Sequence, residues 1–367
     1  MAATSLWRRL LRVAGSLLAA GPAAAVTLPA DRAEALFHVY DGGGVKADGP
    51  ALLVRKSIAD KVSLSGLVYV DAVSNASIDV VTTASPFKEK RTAFDLGLDY
   101  VYRDATVSLG ASSSTEPDYE VRAFSLDAAQ EVFGGMTTVS LGFTRAADTV
   151  GKKGEPGFED ETTHWQYRLG LTQILSPTWL MSANFEAISD SGYLGSPYRV
   201  ALVFGAAVPE RNPRTRSSRA IKLRAVGDTG SVVSRSAVRA EYRYFWDNWD
   251  IQAHTVEFGA SRYIGERWLV DAYVRGYSQS KALFYSDNAT AETTYISRNR
   301  QLSSFTSPSI GAKASYSVGG MPARFDLKLV GAYEFKQFKF KDFTDLRSGQ
   351  LYSHSASVLQ LYLTANY

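Results

Sequence analysis

Leu359-Gln360-Leu361-Tyr362-Leu363-Thr364-Ala365-Asn366-Tyr367 is the stretch on which the fold class turns. Leu359, Leu361, Leu363, Ala365 and Tyr367 alternate with Gln360, Tyr362, Thr364 and Asn366, so an extended chain here turns one face to grease and the other to water. A period of two belongs to a strand and not to a helix.

The same alternation recurs upstream. Trp165, Tyr167, Leu169 and Leu171 oppose Gln166, Arg168 and Thr172; after Ser176-Pro177-Thr178 the next segment sets Trp179, Met181, Ala183 and Phe185 against Ser182, Asn184 and Glu186. Val238, Ala240, Tyr242, Tyr244 and Trp246 then oppose Arg235, Arg239, Glu241 and Arg243. Aromatic residues at the ends of apolar faces are what interfacial girdles of membrane barrels look like. A soluble sandwich also alternates, so the connections must separate the two.

Short turns fall near Ala59-Asp60, Arg103-Asp104, Gly134-Gly135, Ser176-Pro177, Asp228 to Gly230, Gly265-Glu266 and Gly319-Gly320. Between them lie mostly longer polar stretches: 73 to 90, 112 to 118, 146 to 162, 190 to 217, 279 to 301 and 337 to 353, with a brief one at Asp247 to Asp250. Short turns on one rim and long loops on the other are the rhythm of an outer-membrane barrel. With Ala35 to Tyr40 as a first strand and Asp41 to Gly49 as its loop, the expectation is an all-β transmembrane antiparallel barrel of about sixteen strands. The final strand, with Leu359, Leu361, Leu363, Ala365 and terminal Tyr367, has the form of the assembly signal that such barrels present to their insertion machinery.

The composition agrees. Of 367 residues 45% are hydrophobic and 12% aromatic, with 20 Tyr, 29 Gly and only 4 Met, a mixture that suits strands and tight turns. No run of about eighteen apolar residues, as a membrane helix needs, follows the N-terminus. Arg8, Arg9 and Arg12, then the apolar stretch Val13 to Ala20 and the triplet Ala23-Ala24-Ala25, read as a signal peptide over 1–25 cleaved after Ala25. The barrel then occupies 26–367. Removing that leader takes the 40 basic residues to 37 against 37 acidic ones, so no basic nucleic-acid footprint remains and no nucleic-acid partner is expected. The chain has no Cys.

Several strand ends and loops resemble one bacterial family, domain of unknown function 3570. They include Tyr40-Asp41-Gly42-Gly43-Gly44, Tyr69-Val70-Asp71-Ala72-Val73-Ser74, Phe133-Gly134-Gly135-Met136-Thr137-Thr138, Gly195-Ser196-Pro197-Tyr198-Arg199, Glu241-Tyr242-Arg243-Tyr244-Phe245 and Phe284-Tyr285-Ser286-Asp287. The resemblance implies a Gram-negative outer-membrane protein with no assigned reaction, and it carries over no catalytic residue.

For function, the polar face is the informative feature, because about sixteen strands enclose an aqueous lumen unless loops fill it. Parity points Arg168, Lys222, Arg224, Arg235, Arg239, Arg243, Arg275 and Lys328 inward, with Glu241, Asp271 and Asp326 among the inward acids. Such residues either select solutes by charge or pair across strands to brace the wall. Arg235, Arg239 and Arg243, facing Lys222 and Arg224, predict a basic patch and a weak anion preference. The expected function is a channel or transporter for small polar or anionic solutes; the alternative is a non-conducting barrel that docks a protein partner. The loop 190 to 217, with Arg211, Arg214 and Arg216 and with Arg219 just beyond it, could fold inward as a constriction or project as a contact surface.

No enzyme chemistry is expected. His38, His164, His254 and His354 are the only histidines, and the reading places them at rims or interfaces instead of beside a nucleophile. The acidic loop runs Glu116-Pro117-Asp118 and Glu159-Asp160-Glu161, with Asp190, could offer oxygen ligands to calcium but read more simply as solvated charge. Neither a resident metal nor a cofactor is expected. The partners expected are outer-membrane lipids, the barrel-assembly machinery and a small polar solute.

Overall fold

The computed structural model describes residues 27–75, 87–318 and 325–367. The leader read over 1–25 and the turn at Gly319-Gly320 lie outside them.

Chain order gives β1 (Arg32–Gly42), β2 (Val45–Ala59), β3 (Val62–Asn75), β4 (Phe87–Tyr102), β5 (Ala105–Glu116), β6 (Tyr119–Val132), β7 (Thr137–Gly151), β8 (Glu159–Ser176) and β9 (Trp179–Gly192). A small hairpin of β10 (Val200–Val203) and β11 (Ala206–Pro209) follows, then β12 (Thr215–Asp228), β13 (Ser236–Asp247), β14 (Gln252–Ile264) and β15 (Trp268–Gln279). The last are β16 (Phe305–Thr306), β17 (Ser309–Val318), β18 (Asp326–Asp345) and β19 (Gln350–Asn366). Apart from the β10–β11 hairpin, every strand lies in one sheet of seventeen. The two-residue β16 lies, like β17, between β15 and β18, so the wall has sixteen staves. β1 pairs with both β2 and β19, which closes the cylinder and leaves no edge. Every pairing between named strands is antiparallel, as neighbours joined by short turns must be.

Side chains then decide which face meets what. Phe185 is 38% exposed, Leu361 52% and Leu96 68%, while Arg239 and Asp271 keep only 17% and 22% of their side chains exposed. Exposed Leu, Phe, Val and Tyr recur at every second position around the wall, for example Phe124 and Leu126 on β6 and Tyr167, Leu169 and Leu171 on β8. In water such a belt would forgo about 1.5–3 kcal/mol per large side chain, so its solvent is hydrocarbon. Outside the wall is the apolar side, and the charges are inside.

The strands run taller than the alternation of hydrophobes suggested. Asp41 to Gly49 is not a loop: β1 and β2 continue through it and turn at Gly43 and Gly44, whose φ of 60° and 79° only glycine adopts without strain. Likewise β18 and β19 pair up to Asp345 and Gln350, through most of the stretch read as loop 337 to 353. Polar residues beyond the bilayer still complete the hydrogen-bond ladder, and hydropathy is blind to that.

Two loops on that tall rim fold inward. The segment between β9 and β12, carrying the hairpin, meets the segment between β15 and β16 through backbone bridges Val203–Ala289 and Arg211–Ile296. Trp249, Ile251, Ala282, Tyr285 and Leu302 make one buried cluster, with Leu194, Phe245 and Phe284 against it. Phe340 and Phe343, flanked by Phe305, Phe338 and Tyr352, make another. The long-loop end of the lumen therefore carries a folded cap with its own apolar core.

Candidate functional site

Below the cap the inner wall is laced by ion pairs. Glu257 on β14 takes Arg239 Nε at 3.1 Å from β13 and Arg275 Nη2 at 2.6 Å from β15. Arg239 also clasps Asp271, which accepts from Ser261 Oγ at 2.6 Å, and Arg275 reaches Glu334 at 3.4 Å, itself held by Lys336 at 3.0 Å. A second group has Arg168 bonded to Asp127 at 2.8 Å and Thr144 at 2.9 Å, Arg243 near Glu186 at 3.4 Å, and Lys222 near Glu241 at 3.8 Å. Lys328 pairs with Asp326 at 2.7 Å.

Inward glycines make room for these long arms. A Cβ on Gly259 would lie 2.4 Å from Arg239 Cζ, and one on Gly142 would lie 2.7 Å from Arg168 Nε. An inward guanidinium and the glycine beside it are thus one device, the long arm laid across a neighbouring strand.

The basic patch read from the sequence resolves differently. Lys222, Arg239 and Arg243 each meet a carboxylate, so little uncompensated positive charge remains for an anion to sense. Arg224 faces the lumen and makes no ion pair among the described residues. Arg235 leaves the wall altogether: it sits in the β12–β13 turn at φ 57° and donates to the Gly265 carbonyl at 2.8 Å, because a left-handed residue is needed where β13 begins.

Toward the cap opens a cavity of about 630 Å³. His164 on β8 donates from Nδ1 to Asp190 at 2.7 Å and from Nε2 to Asp148 at 2.8 Å, while Tyr119 also donates to Asp148. Across it, Arg216 is fixed by Asp247 at 2.6 Å and lies over the Trp249 ring at 4.6 Å. Phe245, Trp249 and Tyr277 supply apolar wall, and Leu194 and Tyr193 descend from the folded loop. Burial pushes the Tyr193 phenol up to about 12 and raises that of Tyr285 in the cap as well.

Two further cavities adjoin it along the same wall. One of about 450 Å³ shares Arg243 with the first, and one of about 350 Å³ shares Arg168 with the second.

The model of the family described as protein of unknown function, DUF3570, matches residues 14–158 and 152–334. The chain belongs to that family. No curated protein matches it. Among solved structures, a bacterial polysaccharide outer membrane secretin is similar over 93% of this chain and 100% of its own, at 7% identity and a TM-score of 0.53. The siderophore receptor PirA from Pseudomonas aeruginosa is 10% identical over 87% of this chain and 60% of its own, with a TM-score of 0.45. The CymD monoaromatic hydrocarbon channel is 11% identical over 93% and 89%, with a TM-score of 0.44. The DUF3570 chain spans about 60% of the siderophore receptor's length. Identities this low speak for the fold alone, that of the outer-membrane barrels, and of the three only the secretin passes a TM-score of 0.5.

Of the four histidines read as rim or interface residues, His254 faces outward beside Tyr242, and His38, His164 and His354 face inward. His164 shares its parity with Gln166 and Arg168, so alternation itself carried the signal. Its partners Asp148 and Asp190, and Trp249 beneath Arg216, come from other strands and turns, and no local pattern joins them. The loop acids are engaged: Asp118 by Tyr198, Asp160 by Arg214 at 2.7 Å, Glu116 near Arg91 at 3.8 Å. Among the described residues no group of three or more His, Asp or Glu is arranged to hold a metal ion.

Proposed function

We propose that this protein is a channel of a Gram-negative outer membrane that admits small polar solutes past a folded cap and along one wall of the lumen. In this reading residues 1–25 are an export leader, the short-turn rim faces the periplasm, and Leu359, Leu361, Leu363, Ala365 and Tyr367 form the assembly signal. The protein is read as a conduit that catalyses no reaction. The observation that carries it is the presence of three cavities along one wall, the first and second sharing Arg243 and the second and third Arg168 as lining residues, with paired charge, hydroxyls and amides among their linings. Paired charge offers hydrogen bonds without a strong field of one sign, which suits polar solutes better than selective anion passage. Recording of the purified protein in planar bilayers tests it. Steady unitary conductance that rises when the β15–β16 loop is shortened is the expected result; silent bilayers with folded protein would overturn it.

One observation favours a second reading, the non-conducting docking platform. Phe204 at the tip of the β10–β11 hairpin is 74% exposed and Leu283 80%, both in the loops that build the cap. That reading predicts silent bilayers together with specific capture of a partner.

A further inference from the structure

We infer that the cavity beneath the cap is a binding site for a small organic cation, a primary ammonium on a hydroxylated or otherwise polar skeleton. This rests on the channel reading for how the ligand arrives, though not for whether it binds.

The acidic and basic side chains bordering the cavity are Asp118, Asp148, Asp190, His164, Arg216 and Arg243. Both arginines are neutralised from behind: Arg216 by Asp247, whose side chain has 0% exposure, and Arg243 by Glu186. What remains is three carboxylates against one imidazole, even when that ring carries its second proton. The other donors to the acids, Tyr119 on Asp148 and Tyr198 on Asp118, are neutral phenols. Lys153, at the neighbouring rim, makes no ion pair with any of the three. The cavity is left with an excess of negative charge.

A second observation points the same way. Asp148 keeps 3% of its side chain exposed; its Oδ2 accepts from both Tyr119 and His164, yet its Oδ1 has no partner. Asn212 Oδ1, in the same lining, has none either. Both orphans are acceptors, and a buried acceptor left unmatched costs free energy that a ligand N–H or O–H would return once the side chain turns its free oxygen to the cavity. A ligand without N–H or O–H brings no donor to either, and an ammonium brings a charged one. Phe245, Trp249 and Tyr277 offer the apolar surface on which a carbon skeleton lies, and about 630 Å³ is within the range of small-molecule sites.

Three pyranoses of one shape and different charge make the test: glucosamine, glucose and glucuronate, titrated onto the full barrel in detergent while Trp fluorescence or heat is followed. Glucosamine is expected to bind about tenfold more tightly than glucose, with glucuronate weaker still. Asp148→Asn and Asp190→Asn should each erase most of that preference while leaving the heat-modifiable mobility of the folded barrel in place. If an asparagine variant fails to fold, the charge series on the unaltered protein still decides. Equal affinity for the three sugars, no binding, or preference for glucuronate would overturn the inference. Cation binding by a barrel that never conducts would instead overturn the channel reading and leave this site standing.

Discussion

Glu257→Gln is the perturbation that reads the wall most directly. Glu257 is 11% exposed at its side chain and accepts from Arg239 Nε at 3.1 Å and from Arg275 Nε and Nη2 at 2.9 and 2.6 Å. The amide keeps the volume but loses the charge and turns one acceptor into a donor facing a guanidinium. Hydrogen bonds to charged groups are worth about 1.5–3 kcal/mol each, and breaking one partner out of a dry buried pair costs about 3–5. Here Arg239 retains Asp271 and Arg275 retains Glu334 at 3.4 Å, and the Arg275 side chain keeps 35% of its exposure. The expected loss is therefore about 2 kcal/mol, roughly a thirty-fold fall in the folded-to-unfolded ratio. Guanidinium unfolding in phospholipid vesicles should show a lower midpoint at an unchanged slope. Glu155→Gln, in an exposed pair with Lys152, should stay within about 0.5 kcal/mol of the parent. A midpoint for Glu257→Gln indistinguishable from that control would refute the claim that the ladder braces the cylinder.

Gly259→Ala should cost about 1–3 kcal/mol in the same assay, since its methyl would sit 2.4 Å from Arg239 Cζ and push the guanidinium off its partners. Leu361→Arg, on the lipid face, should destabilise the barrel by about 2–4 kcal/mol or lower the folded fraction in heat-modifiability gels, whereas Leu361→Phe should be tolerated. Tyr193 and the cap titrate late: a phenol raised in the folded state from 10.0 to about 12 contributes stability that is whole below pH 10.0 and is lost as pH rises through about 12. Limited proteolysis of the loops should therefore accelerate across that window and not below it. Mass spectrometry of the exported protein should find a chain beginning at Val26.

The cylinder was legible in the sequence because lipid and lumen impose a period of two on every stave, and Leu359 to Tyr367 or Trp165 to Leu171 carry that period without interruption. Strand height was not. Asp41 to Gly49 is polar, and 337 to 353 sets Lys339, Lys341, Asp342 and Arg347 among its aromatic residues, yet their backbones pair above the bilayer, where no lipid imposes a period of two. The inward residues followed from parity, and the same rule applied to His164 would have set it beside Gln166 and Arg168. How the charges would combine could not be read, since Arg239 finds Glu257 and Asp271 on two other strands, with offsets that only the register fixes. The cap was the least visible feature. Trp249, Tyr285 and Leu302 are separated hydrophobes in polar loops, and only folding brings them together.

The orientation of the wall is open to one decisive measurement, made simple by a chain with no Cys of its own. Single variants Phe185→Cys and Leu361→Cys, carrying an environment-sensitive fluorophore in vesicles of brominated lipid, should be quenched by the acyl chains. Ser125→Cys and Thr144→Cys, which line the inner cavities, should escape that quenching and react with a water-soluble thiol reagent. Quenching at 125 and 144, with 185 and 361 shielded from lipid, would contradict the account.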